Sequence, residues 1–122
     1  MTSDHSENSV DPWEIQLRKG CLELAILASL WHGRLYGLEL LRVLAAKSDL
    51  IVTEGTVYPI LSRLKADSLL EAEWVEAELG HPRKYYRLSA SGRRRAIAMA
   101  KIWSRFSAKL DSLLKPLLKE ER

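Results

Sequence analysis

The chain has 122 residues, a hydrophobic fraction of 47% and a formal net charge of +3, values that fit a single globular domain. No apolar run approaches the ~20 residues that span a bilayer, so no membrane partner is expected. Cys21 is the single cysteine, which rules out an intrachain disulfide and suits a cytoplasmic location.

Hydrophobic periodicity predicts two helices after a polar start. Residues 1–11 are acidic and polar, and we expect a disordered tail there rather than a signal peptide. The first helix is predicted over 13–31 and the second over 36–47. In the first helix an apolar stripe is formed by Leu17, Cys21, Leu24, Ala28 and Trp31. Ile26, Leu27 and Leu30 make its second half apolar nearly all round, so that half is expected to be buried on most sides. The expected inward residues of the second helix are Leu40, Leu41, Val43 and Leu44.

A third helix is predicted to begin near Thr53, a favourable N-cap residue. Its core stripe consists of Val57, Ile60, Leu61 and Leu64. Pro59 lies deep enough in this helix to cost ~3 kcal/mol in a regular hydrogen-bond ladder. We therefore expect an irregular first turn, with regular bonding established only after Thr56.

Two short strands and a long helix follow. The strands are predicted over 70–77 and 83–88, with a loop containing Gly80 and Pro82 between them. The last helix is predicted from about residue 90 towards Pro116, which should limit its length, and Ser89 or Ser91 should cap it.

The last helix carries a heptad stripe, the pattern of helices that wind around each other. Its members are Ala96, Met99, Trp103, Phe106, Leu110, Leu113 and Leu117. Since the helix is long for so small a domain, its far half is expected to pair with a second copy of the chain. The expected dimerisation residues are Met99, Trp103, Phe106, Leu110 and Leu113. The alternative is that the stripe packs on the first helix of its own chain.

These elements predict a fold that is mainly α with a small β-hairpin, in the α+β class. Residues 12–89 would form a winged helix-turn-helix domain, and residues 90–122 a C-terminal dimerisation helix. In a winged helix, the third helix enters a major groove and the hairpin grips the flanking phosphates.

Charge and shape point to a polyanionic partner. Between Leu79 and Leu110 every charged side chain is Lys or Arg. The outer face of the third helix carries the small residues Gly55, Pro59, Ser62 and Ala66, which would allow close approach to a groove. The expected DNA-contacting residues are Tyr36, Thr56, Tyr58, Pro59, Arg63 and Lys65 on the helices, and His81, Arg83 and Lys84 on the hairpin. The alternative is an ordinary surface helix beside a solvated basic face.

Catalytic chemistry finds no support in the sequence. It has no nucleophile elbow, no glycine-rich phosphate loop and no metal-ligand spacing, so we expect no enzyme, cofactor or metal. Cys21 is interpreted as a core residue. Four closely spaced acids are interpreted as solvated charges of a strand edge: Glu71, Glu73, Glu76 and Glu78.

Three segments together resemble the PadR family of bacterial transcriptional regulators: Y-G-L-E-L at 36–40, G-T-V-Y-P-I-L-S-R-L at 55–64, and R-K-Y-Y-R-L-S-A-S-G-R at 83–93. The resemblance covers 22–95 and implies a dimeric winged-helix repressor of the smaller subgroup, released by a small aromatic or phenolic effector or by a hydrophobic cationic drug. In multidrug-responsive members, a tryptophan in the matching W-S-R context stacks on flat ligands, which implies ligand binding by Trp103. Ser68 departs from the family's usual glycine, and serine tolerates such a turn less easily.

The sequence therefore predicts a sequence-specific DNA-binding transcriptional regulator. It would act as a ligand-responsive repressor and as a homodimer on a pseudo-palindromic double-stranded operator. The alternative is a winged-helix module that binds other proteins and not DNA, because a fold alone does not fix a function.

Overall fold

The computed structural model describes residues 11–77 and 80–120. The elements run in the order α1 (Pro12–Ser29), β1 (Leu35–Tyr36), α2 (Gly37–Ser48), α3 (Glu54–Ala66), β2 (Leu70–Val75), β3 (Arg83–Leu88) and α4 (Ala90–Glu120). The predicted fold class is confirmed. Residues 1–10 of the predicted tail lie outside the described residues. Asp11, the last residue of the predicted tail, is the N-cap of α1. Its carboxylate accepts a 2.7 Å hydrogen bond from the backbone N–H of Trp13.

A small antiparallel sheet, ordered β1-β3-β2, stands beside the helices. Strands β2 and β3 form the predicted hairpin, in register from Leu70 opposite Leu88 to Val75 opposite Arg83. We call this hairpin the wing. The two-residue strand β1 was not predicted, because a pair of residues is too short to show strand periodicity. It places Tyr36 opposite Tyr85 of β3, which fixes the start of α2 against the wing.

The core lies where α1, α2 and α3 meet the base of the wing. Its fully buried side chains are Ile26, Leu27, Leu30, Leu40, Leu44, Val57, Leu61 and Leu64. The stripe predicted for α1 is not its core face, whereas the predicted burial of Ile26, Leu27 and Leu30 is confirmed. Leu22, Ile26 and Leu30 face the core, whereas Leu17 is 40% exposed and Ala28 is exposed. The second half of α1 is apolar nearly all round, so periodicity alone could not select the buried face.

Both internal prolines sit in continuous helices. In α3 the Thr56 N–H donates three residues back to the Thr53 carbonyl at 3.1 Å, and regular bonding begins after Thr56, as predicted, with Val57 N–H donating to the same carbonyl at 3.1 Å. Contrary to prediction, helix α4 continues through Pro116 to Glu120. In both places the proline and the residue four positions earlier are exposed, so water can satisfy the carbonyl that loses its donor. Thr53 occupies the predicted N-cap position of α3, but its side chain makes no capping bond.

The turn after α3 joins that helix to the start of α4. Ser68 adopts the left-handed conformation that its family position implied, with φ of 64°. Its carbonyl accepts hydrogen bonds from the hydroxyls of Ser89 at 2.6 Å and Ser91 at 2.8 Å. The Ser89 hydroxyl in turn accepts from Gly92 N–H at 3.0 Å, which identifies Ser89 as the cap of α4. These hydrogen bonds fix the turn after α3 against the first turn of α4.

Gly92 permits this junction, and we expect Gly92→Ala to destabilise the fold by about 2 kcal/mol, a typical cost of overpacking. An added Cβ would lie 1.9 Å from the Leu69 carbonyl oxygen, a backbone atom that cannot turn aside. Gly20→Ala is the matched control, because a Cβ at Gly20 has no atom within 4 Å. That change should stabilise α1 by up to about 1 kcal/mol. Urea unfolding curves of both variants measure the difference, and equal midpoints would contradict the close approach.

Candidate nucleic-acid interface

The outer face of α3 is exposed as predicted. Gly55, Pro59, Ser62 and Ala66 are all exposed, and the opposite stripe of Val57, Leu61 and Leu64 is buried. Thr56 and Lys65 flank this small face and are exposed as well. Small side chains on a helix let its axis approach the base edges of a major groove, with longer flanking side chains on either side.

A cleft of about 450 Å³ opens between the N-terminal ends of α2 and α3 and the wing. We call it the wing cleft. It brings together Tyr36, Tyr58, Arg83 and Lys84, four of the residues predicted to bind DNA. Sequence reasoning missed two further lining residues, Arg42 and Trp74. The available signal in the sequence was the positive charge of Arg42, which is exposed on α2. Trp74 was noted only as a strand former.

Tyr58 closes the floor of the wing cleft against α2. Its hydroxyl lies so near Gly37 that a Cβ there would come within 2.1 Å of it. Burial, and secondarily the charge of Glu54, raises the pKa of Tyr58 above its ordinary value. A tyrosine phenol is protonated at neutral pH even at its ordinary value, and this shift keeps it so, so that it can donate a hydrogen bond to a phosphate oxygen.

The cations of the wing are held on aromatic rings. The Arg83 guanidinium lies 4.5 Å from the ring centre of Tyr36, which itself meets Tyr85 edge to face at 5.4 Å. The Lys84 ammonium lies 5.8 Å from the ring of Trp74 and 5.7 Å from that of Tyr86. These contacts restrict the side chains while leaving the charges able to meet an anion. Cations placed in this way lose less conformational entropy on binding.

The basic block of the sequence is not uniformly free. Arg87 of β3 pairs across the wing with Glu71 at 3.0 Å and Glu73 at 2.7 Å, and Arg34 reaches Glu73 at 3.1 Å. Two of the glutamates interpreted as solvated edge charges thus neutralise Arg87. His81 is exposed at the tip of the wing, beyond this network.

Arg63 stands apart from the wing cleft. Its guanidinium lies 2.7 Å from the carboxylate of Glu23 on α1, and 3.8 Å from that of Asp67. The hydrogen bond and charge of Glu23 raise the pKa of Arg63 above its ordinary value. Sequence reasoning placed this side chain beside the groove face but could not foresee a partner forty positions away.

A second region of interest lies between α1 and α4. A cavity of about 490 Å³ is bounded by Leu17, Cys21 and Leu24 of α1, the α2–α3 turn, and Trp103 of α4. Of the heptad stripe, Ala96 is buried and Met99 is partly buried in the chain's own core. The rest is open: Trp103 is 44% exposed, Phe106 59%, Leu110 36% and Leu113 72%. Cys21 lies half-buried on this cavity rather than in the core.

Within residues 11–77 and 80–120, no group of three His, Cys, Asp or Glu side chains is placed to hold a metal ion. None of the helices in the described part of the chain is long and apolar enough to cross a membrane.

Three helices, the third with a small outer face, followed by a cation-bearing wing, define a winged helix-turn-helix protein. Residues 26–98 match the model of the transcriptional regulator PadR-like family, and the chain belongs to that family. Its members are transcriptional regulators and not enzymes.

Solved structures agree with this assignment. The chain is similar to a PadR-like transcription factor from Bacteroides fragilis, with 38% identity and a TM-score of 0.69 over 84% of this chain and 99% of that one. It is similar to a PadR-like transcriptional regulator from Bacillus cereus, with 32% identity and a TM-score of 0.74 over 82% and 97%. A PadR family regulator from Eggerthella lenta gives 30% identity and a TM-score of 0.75 over 84% and 89%.

Proposed function

We propose that the chain is a sequence-specific DNA-binding repressor that acts as a homodimer on a pseudo-palindromic operator and blocks a promoter by occupying it. The observation that carries this proposal is the wing cleft. It gathers the cations of the wing beside the N-terminal end of α3, whose outer face is small and exposed. That combination suits a helix in a major groove with a phosphate backbone beside it.

Charge supports an anion in the wing cleft. Arg42, Arg83 and Lys84 line it, and among the described residues the single lining carboxylate is that of Glu54. The N-terminal end of α2 also opens there, and helix N-termini favour anions through their unpaired N–H groups. With the protonated hydroxyl of Tyr58, these groups supply several donors for one stretch of sugar–phosphate backbone.

The dimer is supported by apolar surface that one chain leaves open. Beyond Met99, the heptad stripe of α4 is exposed to solvent at every member. The neighbouring face of α1 is also open at Leu17 and Ala28. A second copy related by a twofold axis can cover both surfaces with the same contacts in reverse. It would present two α3 helices to successive major grooves, about 34 Å apart.

The α1–α4 cavity supports an effector site at Trp103. The indole bounds a space of about 490 Å³, and the carboxylates of Glu14 and Asp49 lie on its rim with the guanidinium of Arg18. An indole face with a net negative rim favours a planar cationic compound. This assignment rests on the family resemblance as much as on the cavity, since a tryptophan can also simply fill a dimer core.

Duplex DNA of random sequence tests the function directly. The proposed regulator should retard such a duplex in a gel at low salt, with an affinity that falls steeply as salt rises. A winged helix that serves only as a protein-binding module should leave the duplex unretarded at every salt concentration, and that result would favour the alternative function.

Trp103 is tested by fluorescence and by DNA release. We expect planar cationic dyes to quench tryptophan emission saturably and to displace the wild-type protein from DNA. Trp103→Phe should weaken both effects while retaining DNA binding, because phenylalanine keeps an apolar ring but presents a weaker face to a cation. Trp13→Phe is the matched control, since Trp13 is 66% exposed and lies outside the cavity. Dye-induced release that is unchanged in Trp103→Phe would place the effector elsewhere.

A further inference from the structure

Helix α3 carries an arginine, Arg63, whose guanidinium is bonded to a carboxylate of α1. Nη2 of Arg63 donates to Oε1 of Glu23 at 2.7 Å, across from α3 to α1. The side chain of Arg63 is 51% exposed and that of Glu23 is 28% exposed. The guanidinium is thus open to an approaching ligand from the solvent side while its charge is matched from within the protein.

The backbone of α1 at Glu23 is held in place by the core. Its neighbour Leu22 is 3% exposed and anchors this turn of α1 in the core. Arg63 is the more exposed partner, at 51% against 28%, and its longer side chain can rotate from α1 towards the outer face of α3. Movement within this pair therefore means that the guanidinium leaves the carboxylate, not the reverse.

A DNA phosphate is the natural competitor for Glu23. Guanidinium groups bind carboxylates and phosphates through the same forked pair of N–H donors. A solvent-exposed ion pair of this kind is worth up to about 1 kcal/mol. A phosphate held firmly against Arg63 can therefore replace the Glu23 carboxylate, whereas a loosely held phosphate gains too little to do so.

We propose that Glu23 is a positioning residue for DNA recognition. It accepts from one donor of the fork, Nη2 of Arg63, in the free protein, where Asp67 lies 3.8 Å from Nη1, and it releases Arg63 when α3 is seated in its groove. This inference rests on the proposed DNA-binding function. Its consequence is specificity: on random DNA, where contacts are mainly electrostatic, Arg63 stays on Glu23 and adds little. Glu23 thereby lowers the affinity for random DNA more than the affinity for the operator.

A cycle of four proteins tests the proposal: wild type, Glu23→Gln, Arg63→Ala and the double variant. Each is titrated with a labelled random duplex between 50 and 200 mM salt, and fluorescence anisotropy gives the affinity at each salt concentration. We expect Glu23→Gln to bind severalfold more tightly, with a salt slope steeper by about one unit, because one more cation meets a phosphate. In the Arg63→Ala background the same change should leave the slope unaltered.

The Arg63→Ala background also separates two effects of Glu23→Gln. Any gain in affinity there measures only the removal of a negative charge near DNA. A salt slope equal to that of the wild type in Glu23→Gln, or an equal effect in both backgrounds, would overturn the proposal. Glu23→Ala repeats the cycle without the amide oxygen that glutamine could still offer to Arg63, and thermal melting checks that each variant is folded.

The experiment also distinguishes the role of Glu23 from the DNA-binding function itself. Wild-type protein that binds the duplex with a normal salt slope, together with Glu23→Gln that behaves identically, sinks the role of Glu23 and leaves the regulator intact. Absence of binding by all four folded proteins overturns the proposed function and this inference together.

Discussion

We expect a chain with Phe106→Glu and Leu110→Glu to sediment as a monomer and to lose operator binding. Both side chains are already exposed in the single chain, Phe106 at 59% and Leu110 at 36%, so the charges cost the folded monomer little. In a dimer seam the same carboxylates would be desolvated without partners, which is strongly unfavourable. The lost second half-site should lower operator affinity by about two to four orders of magnitude, the usual range for avidity.

The opposite face of α4 provides a matched control for this variant. Ala108 and Ser112 are exposed and lie across the helix from the heptad stripe. Ala108→Glu with Ser112→Glu adds the same two charges to the same turns and should remain dimeric. Analytical ultracentrifugation at micromolar concentration measures both variants. A wild-type chain that sediments as a monomer under those conditions would refute the dimer outright.

The second large effect is expected at the wing. Arg83→Ala with Lys84→Ala removes two cations that the rings of Tyr36, Trp74 and Tyr86 hold at the wing cleft. If each meets one phosphate, the salt slope of binding should fall by about two units on every DNA sequence. Loss of affinity without loss of sequence preference is the signature of backbone contacts.

Net charge alone could mimic this result, so the control removes two cations elsewhere. Lys115→Ala with Lys119→Ala makes the same change in charge near the far end of α4, where both lysines are exposed. Its salt slope should match that of the wild type. An equal loss of slope in the two double variants would show that overall charge, rather than the wing cleft, governs binding.

The sequence predicted the order of helices and the wing because each leaves a local signature. The apolar stripe of α3 and the alternating strands of the wing are read from neighbouring residues. Pro116 misled, because a rule about helix interiors assumes that the orphaned carbonyl has no water. At Pro116 the helix is exposed, and it runs on to Glu120 instead of ending there.

The candidate site was predicted in part, and what was missed depends on contacts between distant segments. Tyr36, Tyr58 and Lys84 were chosen from motifs and charge, and the structure gathers them in one cleft. Arg42 and Trp74 join them only because the fold places α2 and the wing on the same cleft. The buried face of α1 was misjudged because this helix is apolar on more than one side, and the apolar surface at Leu17 and Ala28 is exposed in the single chain.

The hydrogen bonds that join the end of α3 to the start of α4 bear on the spacing between the two half-sites that a dimer would bind. One carbonyl, that of Ser68, holds the first residues of a helix about 46 Å long, at ~1.5 Å rise for each of 31 residues. In the proposed dimer, each α4 then holds its α3 at a fixed position relative to the dimer interface. The crossing angle of the two α4 helices sets the distance between the half-sites, while the side chains of α3 contact the bases within each half-site. Substitutions in the seam should therefore change the preferred spacing of the operator and leave its half-site sequence unchanged.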